Sequence, residues 1–351
     1  MNFAPSPPAA RVAIVGAGLA GLSCARRLRE QGCLVRLFDK SGAPGGRMAT
    51  RHGEGWQCDH GAQYFTVRDP DFQQEVARWI AAGRAAAWPV RPAVLGGGGL
   101  RRAAGAEKDA PALVRYVGTP SMRAAAEGLA ADLPVSFHAT ITALERDGQG
   151  WRLHSREQGA DLVTGDSDRF DAVVLALPAP QAQALAAPHS ALLARRADAA
   201  AMHPCWALML RYDLPPALPF EAAFVNSGPL RWIARDSAKP GRGGVETWLL
   251  HAESGWSSEH RDSDAQAVAA ELLAAFSAWG APAPAAWTAH RWLYAQTEAG
   301  DASRHAWDPG LRLGLAGDWL AGGRVEGAWL SGRALADSVA ASCSQPPADR
   351  P

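Results

Sequence analysis

Three glycines near the start of the chain have the spacing of a phosphate-binding turn. Gly16, Gly18 and Gly21 follow an apolar run and lead into a helix-like segment at 17–31. In such a strand–turn–helix unit the first glycine permits the tight turn, the second lets backbone N–H groups approach a pyrophosphate, and the third allows close packing of the helix. The helix N-terminus then favours the phosphate charge. The predicted dinucleotide contacts in this turn are Gly16, Gly18, Leu19, Ala20 and Gly21.

A carboxylate follows at the position expected for ribose recognition. Asp39 comes eighteen residues after Gly21, at the end of the next strand-like segment, 33–38. There its carboxylate would accept hydrogen bonds from the ribose hydroxyls of an adenosine group. We include the adjacent Lys40 in the predicted cofactor site.

A second glycine pair comes soon after this carboxylate. Gly45 and Gly46 are followed by Arg47 and Met48. Two adjacent glycines favour another close approach of backbone to phosphate, and an arginine is a suitable counter-charge. These four residues are therefore predicted to contact the cofactor as well.

The C-terminal part of the chain repeats the strand-then-turn pattern. Residues 315–319 read Leu-Ala-Gly-Asp-Trp, and a helix is predicted to begin within 324–332. A long cofactor gripped at both ends of the chain favours FAD, because its adenosine, pyrophosphate and ribityl-flavin parts all need contacts. The helix N-terminus would stabilise negative charge on the reduced flavin. The predicted contacts outside the N-terminal region are Ile141, Gly317, Asp318, Val325, Glu326, Gly327 and Ala328.

These motifs resemble the FAD-binding elements of the flavin amine oxidase superfamily. Further stretches are similar to the renalase-type flavoproteins, and the similarity extends from Arg11 to about Ala340. Segments 60–65 and 322–327 are its most specific parts, whereas 97–118 and the last ten residues match no known motif. The stretches that carry the narrower resemblance are 58–70, 231–241, 290–292 and 323–328.

The resemblance implies a fold class and an activity. The fold would be α/β, with a Rossmann-like (GR2-type) FAD-binding domain and a discontinuous second substrate domain built on an antiparallel sheet. Members of the group resemble oxidases that take a hydride from 2- or 6-dihydro isomers of NAD(P)H, restoring NAD(P)+ and reducing O2 to peroxide. The FAD is expected to be non-covalent, because residues 314–333 include no cysteine that could carry a thioether.

Hydride transfer from a dihydropyridine ring requires positioning in a dry cavity more than it requires a base. Tyr64, Trp232 and Trp292 are therefore candidate walls, and His60 and His290 are candidate partners of a carboxamide; core packing is the alternative for each. Three cations, Arg231, Arg235 and Lys239, are candidates for a substrate phosphate or ribose, with solvated surface charge as the alternative.

Other activities remain open at this point. Many amine oxidases of the superfamily are similar in using a lysine, through a water, near flavin N5. The chain has three lysines, Lys40, Lys108 and Lys239, of which Lys239 alone suits that role. The alternatives are a flavin-dependent amine oxidase, an NAD(P)H-dependent flavin monooxygenase, and a flavoprotein without turnover.

Charge, hydropathy and cysteine spacing exclude several classes of binding partner. A formal net charge of zero over 351 residues argues against nucleic-acid or anionic-membrane binding, and no apolar run is long enough to span a bilayer. The five cysteines have neither metal-ligand nor redox spacing, so no metal is predicted and reduced thiols in a cytoplasmic protein are expected. The expected partners are a dihydronicotinamide-type small molecule and O2; the oligomeric state stays open.

The elements that must position these residues follow from the apolar patterns. We predict a cofactor domain from 1–75, 121–190 and 305–342, a substrate domain from 76–120 and 191–304, and a flexible tail at 343–351. Residues 1–10 are expected to be a frayed tail and 93–109 a mobile surface loop. The predicted helices are 17–31, 71–82, 121–131 and 262–279, and the predicted strands are 11–15, 33–38, 135–144, 150–155, 169–175, 206–212, 231–234, 247–251 and 288–293.

Overall fold

A computed structural model describes residues 9–97, 99–102, 113–157, 159–164, 168–298 and 303–343. The strands are β1 (Arg11–Val15), β2 (Leu34–Phe38), β3 (Thr50–Gly53), β4 (Trp56–Asp59), β5 (Ala85–Trp88), β6 (Ala93–Gly96), β7 (Gly99–Arg102), β8 (Arg115–Gly118), β9 (Val135–Ser136), β10 (Ala139–Asp147), β11 (Gly150–Glu157), β12 (Ala160–Val163), β13 (Ala172–Leu175), β14 (Met202–Tyr212), β15 (Ala222–Val225), β16 (Leu230–Arg235), β17 (Glu246–Ala252), β18 (Ala286–Thr297), β19 (His305–Asp308) and β20 (Leu313–Ala316). The helices are α1 (Leu19–Glu30), α2 (Pro70–Ala81), α3 (Ala124–Ala130), α4 (Ala179–Ala186), α5 (Ala191–Asp198), α6 (Ser254–Glu259), α7 (Ala265–Ser277) and α8 (Val325–Cys343).

The chain forms two compact units. Unit 1 comprises Met1–Gly46, Leu129–Ala201 and Glu298–Pro351, and unit 2 comprises Arg47–Gly128 and Met202–Thr297. The predicted boundaries differ mainly at 47–75, which the sequence analysis assigned to the cofactor domain. These residues belong to unit 2 because the β3–β4 hairpin packs there, with Cys58 buried against Ala207, Met209 and Leu249. Two further segments differ from the prediction: 121–128 belongs to unit 2 rather than to the cofactor domain, and 191–201 belongs to unit 1 rather than to the substrate domain.

Unit 1 is built on a six-stranded sheet in the order β19-β20-β13-β1-β2-β9. Its pairs are parallel except β19–β20, which is antiparallel. The central strands β13 and β20 are buried along their whole length, as expected for a sheet covered on both faces. The predicted parallel strands at 11–15, 33–38 and 169–175 are thus confirmed within a few residues.

Helices α1 and α8 cross with their backbones in close approach. A Cβ atom at Gly332 would lie 2.0 Å from the Ala20 carbonyl oxygen, so only glycine fits there. The Ser23 hydroxyl donates a hydrogen bond to the Trp329 carbonyl at 2.9 Å across the same crossing. This contact ties the N-terminal helix of unit 1 to its C-terminal helix.

The predicted strand at 135–144 is two strands in the structure. His138 has a positive φ of 57° and separates β9, at the edge of the six-stranded sheet, from β10. Strands β10, β11 and β12 form a separate antiparallel sheet in unit 1. The break directs the chain from one sheet to the other.

Unit 2 contains a seven-stranded sheet in the order β18-β14-β17-β16-β15-β6-β7. All its pairs are antiparallel except β15–β6, which is parallel. Helix α7, which Asp264 caps by accepting a hydrogen bond from Gln266 N, packs against one face. The apolar layer under this helix includes Leu208, Leu250, Val268, Leu272 and Phe276. The predicted antiparallel sheet is therefore confirmed, with one parallel pair added.

The expectation of a loop over 93–109 is wrong for its first part. Strands β6 and β7 form a hairpin with Gly96 opposite Gly99, and Ala93 and Leu95 are buried in the core. A run of glycines obscured this alternating burial in the sequence. Residues 103–112, like the predicted tail segments 1–8 and 344–351, lie outside the described residues. Nowhere in the described residues is a helix both long and apolar enough to cross a membrane.

Candidate functional site

The first glycine turn separates glycines that the fold requires from one that it does not. Gly16 has φ +106°, and a Cβ there would lie 2.4 Å from the Ala176 carbonyl oxygen. A Cβ at Gly21 would lie 1.9 Å from the Gly16 oxygen. Gly18 differs, because its φ of −72° suits any residue and no protein atom lies within 4 Å of its missing Cβ. The space beside Gly18 is open at the N-terminus of α1.

The second glycine pair lies against this open space. Gly45 and Gly46 have φ values of 112° and 54°, which favour glycine. Gly45 N donates to the Ala17 carbonyl at 2.9 Å, and Gly45 forms a parallel bridge with Gly18. Two backbone segments without side chains therefore run side by side at a helix N-terminus. Such a cradle fits a pyrophosphate.

Asp39 lies at the same edge of the unit 1 sheet. Its Oδ2 accepts a hydrogen bond from Ala17 N and its Oδ1 accepts one from Ser41 N, both at 2.7 Å. The carboxylate is half-buried and keeps further lone pairs for ligand hydroxyls. Lys40 is exposed beside it, and Ile141 is buried on β10, whose first residue donates to the Asp39 carbonyl.

The C-terminal turn is rigid and precedes α8. Gly317 N donates to the Ser331 hydroxyl at 2.8 Å, and the Asp318 carbonyl accepts from Ala321 N and Gly323 N. A Cβ at Gly327 would lie 2.1 Å from the Ala321 oxygen, so the first turn of α8 packs tightly on this turn. In the first turn of α8, Glu326 is buried while Val325 and Ala328 are half-buried. These residues lie in unit 1 with the two glycine segments.

Arg47 and Met48 belong instead to unit 2. The Arg47 guanidinium donates to the Ala295 carbonyl at 3.3 Å, and Met48 is buried. The structure therefore places these two predicted cofactor contacts in a different compact unit from Gly45 and Gly46. Their contact with a cofactor stays a prediction.

In unit 2, aromatic side chains form a row across the seven-stranded sheet. Trp232 on β16 pairs with His251 on β17, His251 pairs with Ala207 on β14, and Ala207 pairs with His290 on β18. Directly opposed residues project from the same face of a sheet. Trp232, His251 and His290 therefore lie on one face, opposite to the face that α7 covers.

The segment after β4 adds two more rings to this row. The His60 ring lies 4.8 Å from His290 and stacks on Trp292 at 5.2 Å, and the Tyr64 ring lies 5.5 Å from Trp232. The His60 carbonyl accepts hydrogen bonds from Trp292 Nε1 at 2.8 Å and from His251 Nε2 at 3.1 Å. We call these six residues the ring face: His60, Tyr64, Trp232, His251, His290 and Trp292.

The structure thus brings together all five predicted substrate residues and adds His251. The strand pattern at 247–251 was visible in the sequence. Its pairing register was not, because register is fixed by tertiary packing. Without the register, nothing distinguished His251 from an ordinary strand residue.

The three histidines of the ring face are uncharged at neutral pH. Burial, reinforced by the nearby His290 and Arg51, lowers the pKa of His60 to about 3. Burial likewise lowers the pKa of His251 to about 4, and it lowers the pKa of His290. The ring face therefore offers neutral imidazoles, an indole pair and a phenol, and its hydrogen-bonding groups carry no net charge.

This burial predicts acid sensitivity of folding. The pKa of His60 and His251 is lower in the folded than in the unfolded protein, so the unfolded state binds more protons below about pH 6.5. The free energy of unfolding therefore decreases as the pH is lowered. From pH 7 to 5 we expect a loss of about 2 kcal/mol for each of the two histidines, because at pH 5 both are still neutral in the folded protein and charged in the unfolded one. Urea titrations over this range measure it. His60→Gln should remove the part of this pH dependence that His60 contributes. A difference in unfolding free energy between the parent and His60→Gln that does not change with pH would contradict the prediction.

Four buried charges lie behind the ring face. Lys239 Nζ lies 2.7 Å from Asp236 Oδ1 and 3.1 Å from Asp59 Oδ2, and Arg242 lies 2.5 Å from Asp59. At most 1% of any of these side chains is exposed. We call Asp59, Asp236, Lys239 and Arg242 the charge tetrad. Burial alone would raise the pKa of Asp59, but Lys239 and Arg242 outweigh it and hold that pKa below its usual range.

The charge tetrad fixes the segment that carries His60. Lys239 Nζ also donates to Gln63 Oε1 at 3.2 Å, and Gln63 Nε2 donates to the Asp59 carbonyl at 2.6 Å. Residues 59 and 63 are thus anchored on both sides of His60. Asp59, Asp236 and Arg242 were not predicted as site residues, because the buried cluster forms only when Asp59, 180 residues from Lys239 along the chain, packs against the 236–242 segment.

Two of the three cations considered for a substrate phosphate are engaged elsewhere. Lys239 is buried in the charge tetrad, and Arg235 forms a two-point ion pair with Glu246 at 2.7 and 2.8 Å. Arg231 is exposed and has no side-chain partner among the described residues. Neither Lys239 nor Arg235 is available to a ligand without breaking these pairs.

Comparison with known proteins adds a family to this geometry. Residues 14–81 match the family profile described as an NAD(P)-binding Rossmann-like domain, and residues 84–340 match the one described as flavin containing amine oxidoreductase. Renalase of Mus musculus is 25% identical over 322 residues, which cover 84% of this chain and 87% of renalase.

Two solved structures have a similar fold. Cyclohexylamine oxidase from Brevibacterium oxydans IH-35A aligns with a TM-score of 0.75 and 13% identity, covering 96% of this chain and 100% of that one. A wild-type putrescine oxidase with bound putrescine aligns with a TM-score of 0.69 and 13% identity, covering 95% and 99%. At this identity the likeness concerns the fold.

Proposed function

This chain belongs to the flavin-containing amine oxidoreductase family, and on that premise we propose that it is an FAD-dependent oxidase of the renalase type. Its proposed substrates are the 2- and 6-dihydro isomers of NAD(P)H. The proposed reaction transfers a hydride from the dihydropyridine ring to flavin N5, restores NAD(P)+ and reduces O2 to H2O2. A flavin-dependent amine oxidase and an NAD(P)H-dependent monooxygenase are the competing activities.

The glycine cradle of unit 1 supports FAD as the flavin. A pyrophosphate fits the free space at Gly18 beside the backbone of Gly45, and a ribose fits the remaining lone pairs of Asp39. FAD contains both groups, whereas FMN contains neither. Non-covalent binding is supported by the thiols. Burial raises the pKa of Cys24, Cys58 and Cys205, which disfavours the reactive thiolate.

The observation that carries the proposed substrate class is the neutrality of the ring face. Its titratable groups within the row are imidazoles held neutral by burial, and the one lysine of unit 2 in the described residues is fixed in the charge tetrad. Removing a hydride from a neutral dihydropyridine needs no proton acceptor at the reacting carbon. The ring face suits that reaction better than the oxidation of an amine, which must first lose its ammonium proton.

In this proposal each part of the chain has a defined task. FAD, held by the glycine cradle and Asp39, would supply the acceptor for the hydride and the route of the electrons to O2. Tyr64, Trp232 and Trp292 flank the substrate ring and exclude water, which favours a single productive orientation. His60 and His290 are neutral and can exchange hydrogen bonds with a carboxamide. The charge tetrad holds His60 in place without itself contacting the substrate.

The test is an anaerobic flavin spectrum of the purified protein mixed with separate donors. We expect rapid bleaching by 2- or 6-dihydro-NAD(P), peroxide formation on admission of air, and at least about a hundredfold slower bleaching by ordinary β-NAD(P)H, because a misplaced hydride donor loses the advantage of orientation. Simple amines serve as the second comparison. Bleaching by an amine alone would establish the amine oxidase activity, and bleaching by β-NADPH alone the monooxygenase type.

A further inference from the structure

Two arginines lie near the uncharged ring face: Arg115, whose guanidinium is 5.2 Å from the centre of the Tyr64 ring, and Arg51. Arg51 on β3 is directly opposite Cys58 on β4, so both side chains project from the same face of this hairpin. Cys58 is buried against Ala207 of the seven-stranded sheet. Ala207 is the residue between His251 and His290 in the aromatic row. The hairpin therefore brings Arg51 next to the ring face.

Arg51 differs from the members of the charge tetrad because no carboxylate in the described residues neutralises it. Its side chain is exposed and has no hydrogen bond or ion pair among the described residues. The charge tetrad contains two carboxylates and two cations that pair with one another. Burial lowers the pKa of both His60 and His290, and the charge of Arg51 lowers it further.

A second observation also points to a ligand at this place. His60 is 6% exposed, and its buried Nδ1 has no hydrogen-bond partner. A buried polar atom left unpaired costs about 1–3 kcal/mol, so such atoms are uncommon unless a ligand or water satisfies them. The unpaired nitrogen and the unpaired guanidinium belong to neighbouring residues of unit 2. A ligand that pairs with both has a neutral hydrogen-bonding ring for His60 Nδ1 and an anionic group for the Arg51 guanidinium.

We infer that Arg51 binds a phosphate or pyrophosphate group of the substrate, while the uncharged ring of the same substrate lies on the ring face. The guanidinium fork matches two phosphate oxygens, which a lysine or a neutral side chain cannot reproduce. This inference rests on the proposed function and deepens it, because it assigns specificity for dinucleotide substrates to one residue. It also predicts that cationic amines are disfavoured, since Arg51 repels them.

The chain supplies a matched control for Arg51. Arg261 is also an exposed arginine of unit 2, and it too has no side-chain partner in the described part of the chain. Its carbonyl oxygen accepts a hydrogen bond from Arg291, whose guanidinium lies over Trp206 in the apolar layer that packs against α7. Arg261 does not enter the electrostatics of His60 or His290. Arg261→Gln therefore removes the same charge without affecting the inferred phosphate contact.

The experiment compares Arg51→Gln, Arg51→Lys and Arg261→Gln in anaerobic flavin reduction. The donors are 2- or 6-dihydro-NAD(P) and an N-methyl dihydronicotinamide isomer without phosphate. For Arg51→Gln we expect the half-saturating dinucleotide concentration to rise by about ten- to a hundredfold, with the limiting rate within about threefold, as for loss of a charged hydrogen-bond pair. Arg51→Lys should recover part of the affinity. With the phosphate-free donor every variant should behave like the parent protein, and Arg261→Gln should do so with all donors.

A binding measurement separates failure of this inference from failure of the proposed function. The affinity for NAD+, ADP-ribose and inorganic pyrophosphate is measured by tryptophan fluorescence for each variant. If no dihydronicotinamide reduces the flavin but Arg51→Gln alone weakens anion binding, the proposed function is wrong and the Arg51 site stands. Equal affinities for the parent and Arg51→Gln, a shift that Arg261→Gln matches, or a parent protein that binds none of these anions overturns the inference.

Discussion

Replacing Gly18 by valine is expected to cost the protein its flavin while leaving it folded. The φ of Gly18 is −72°, and its missing Cβ would meet no protein atom within 4 Å, so the fold tolerates a side chain there. The bulk instead enters the space that the pyrophosphate would occupy. We expect at least about tenfold weaker FAD binding, equivalent to about 1.4 kcal/mol, against a folding cost of about 1 kcal/mol at a helix N-cap.

Two other glycines make this prediction specific. Gly148 has no atom within 4 Å of a Cβ and no left-handed φ, and it is remote from the cradle in sequence, so Gly148→Val should keep its flavin. Gly21→Ala should unfold unit 1 because its Cβ would lie 1.9 Å from the Gly16 oxygen. Flavin per protein is read from the absorbance ratio and the helical signal from circular dichroism. A folded Gly18→Val protein with a full complement of FAD would show that the cofactor binds elsewhere.

The second large effect is expected in the charge tetrad. Lys239→Met leaves Asp59 and Asp236 buried with Arg242 as their one remaining cation, and breaking a buried ion pair from one side costs about 3–5 kcal/mol. At about 2–4 °C per kcal/mol for a unit of this size, the melting temperature should fall by about 10 °C. Thermal unfolding of the flavin-loaded protein measures the change.

The double variant Lys239→Met/Asp236→Asn tests the cause. It removes one charge of each sign and leaves Asp59 with Arg242, so it should recover a large share of the lost stability. Burial and Asp59 raise the pKa of Asp236 to about 6, which makes this carboxyl the easier of the two to neutralise. A Lys239→Met protein of normal stability but slow flavin reduction would instead assign Lys239 to the chemistry, as in the amine oxidase alternative.

Local sequence patterns predicted the parts of the fold that local forces determine. The run at 11–15 is a buried parallel strand because it is apolar on both faces, and Gly16 and Gly21 are glycines because backbone atoms occupy their Cβ positions. The glycine spacing therefore indicated the cradle directly. The split at His138 and the β6–β7 hairpin had no comparable pattern, because both depend on which sheet the chain joins.

Long-range register explains what was missed at the candidate site. Asp236 and Lys239 are three residues apart and form a recognisable pair, yet Asp59 and His60 reach them only through the packing of the β3–β4 hairpin. His251 joins the ring face through strand pairing alone. The packing of this hairpin also places 47–75 in unit 2, whereas the apolar patterns had predicted that 47–75 belongs to the cofactor domain.

The backbone contact between α1 and α8 has a consequence for how the protein is made. Ala20 meets Gly332 at the crossing, and β1 pairs with β13, which in turn pairs with β20. On a ribosome the first strand of this sheet emerges some three hundred residues before its last ones. Every segment of unit 2 has been synthesised by Thr297, before β19, β20 and α8 exist. The glycine cradle is thus translated before unit 2, but its sheet and helix α8 are completed only after the whole of unit 2 has been synthesised.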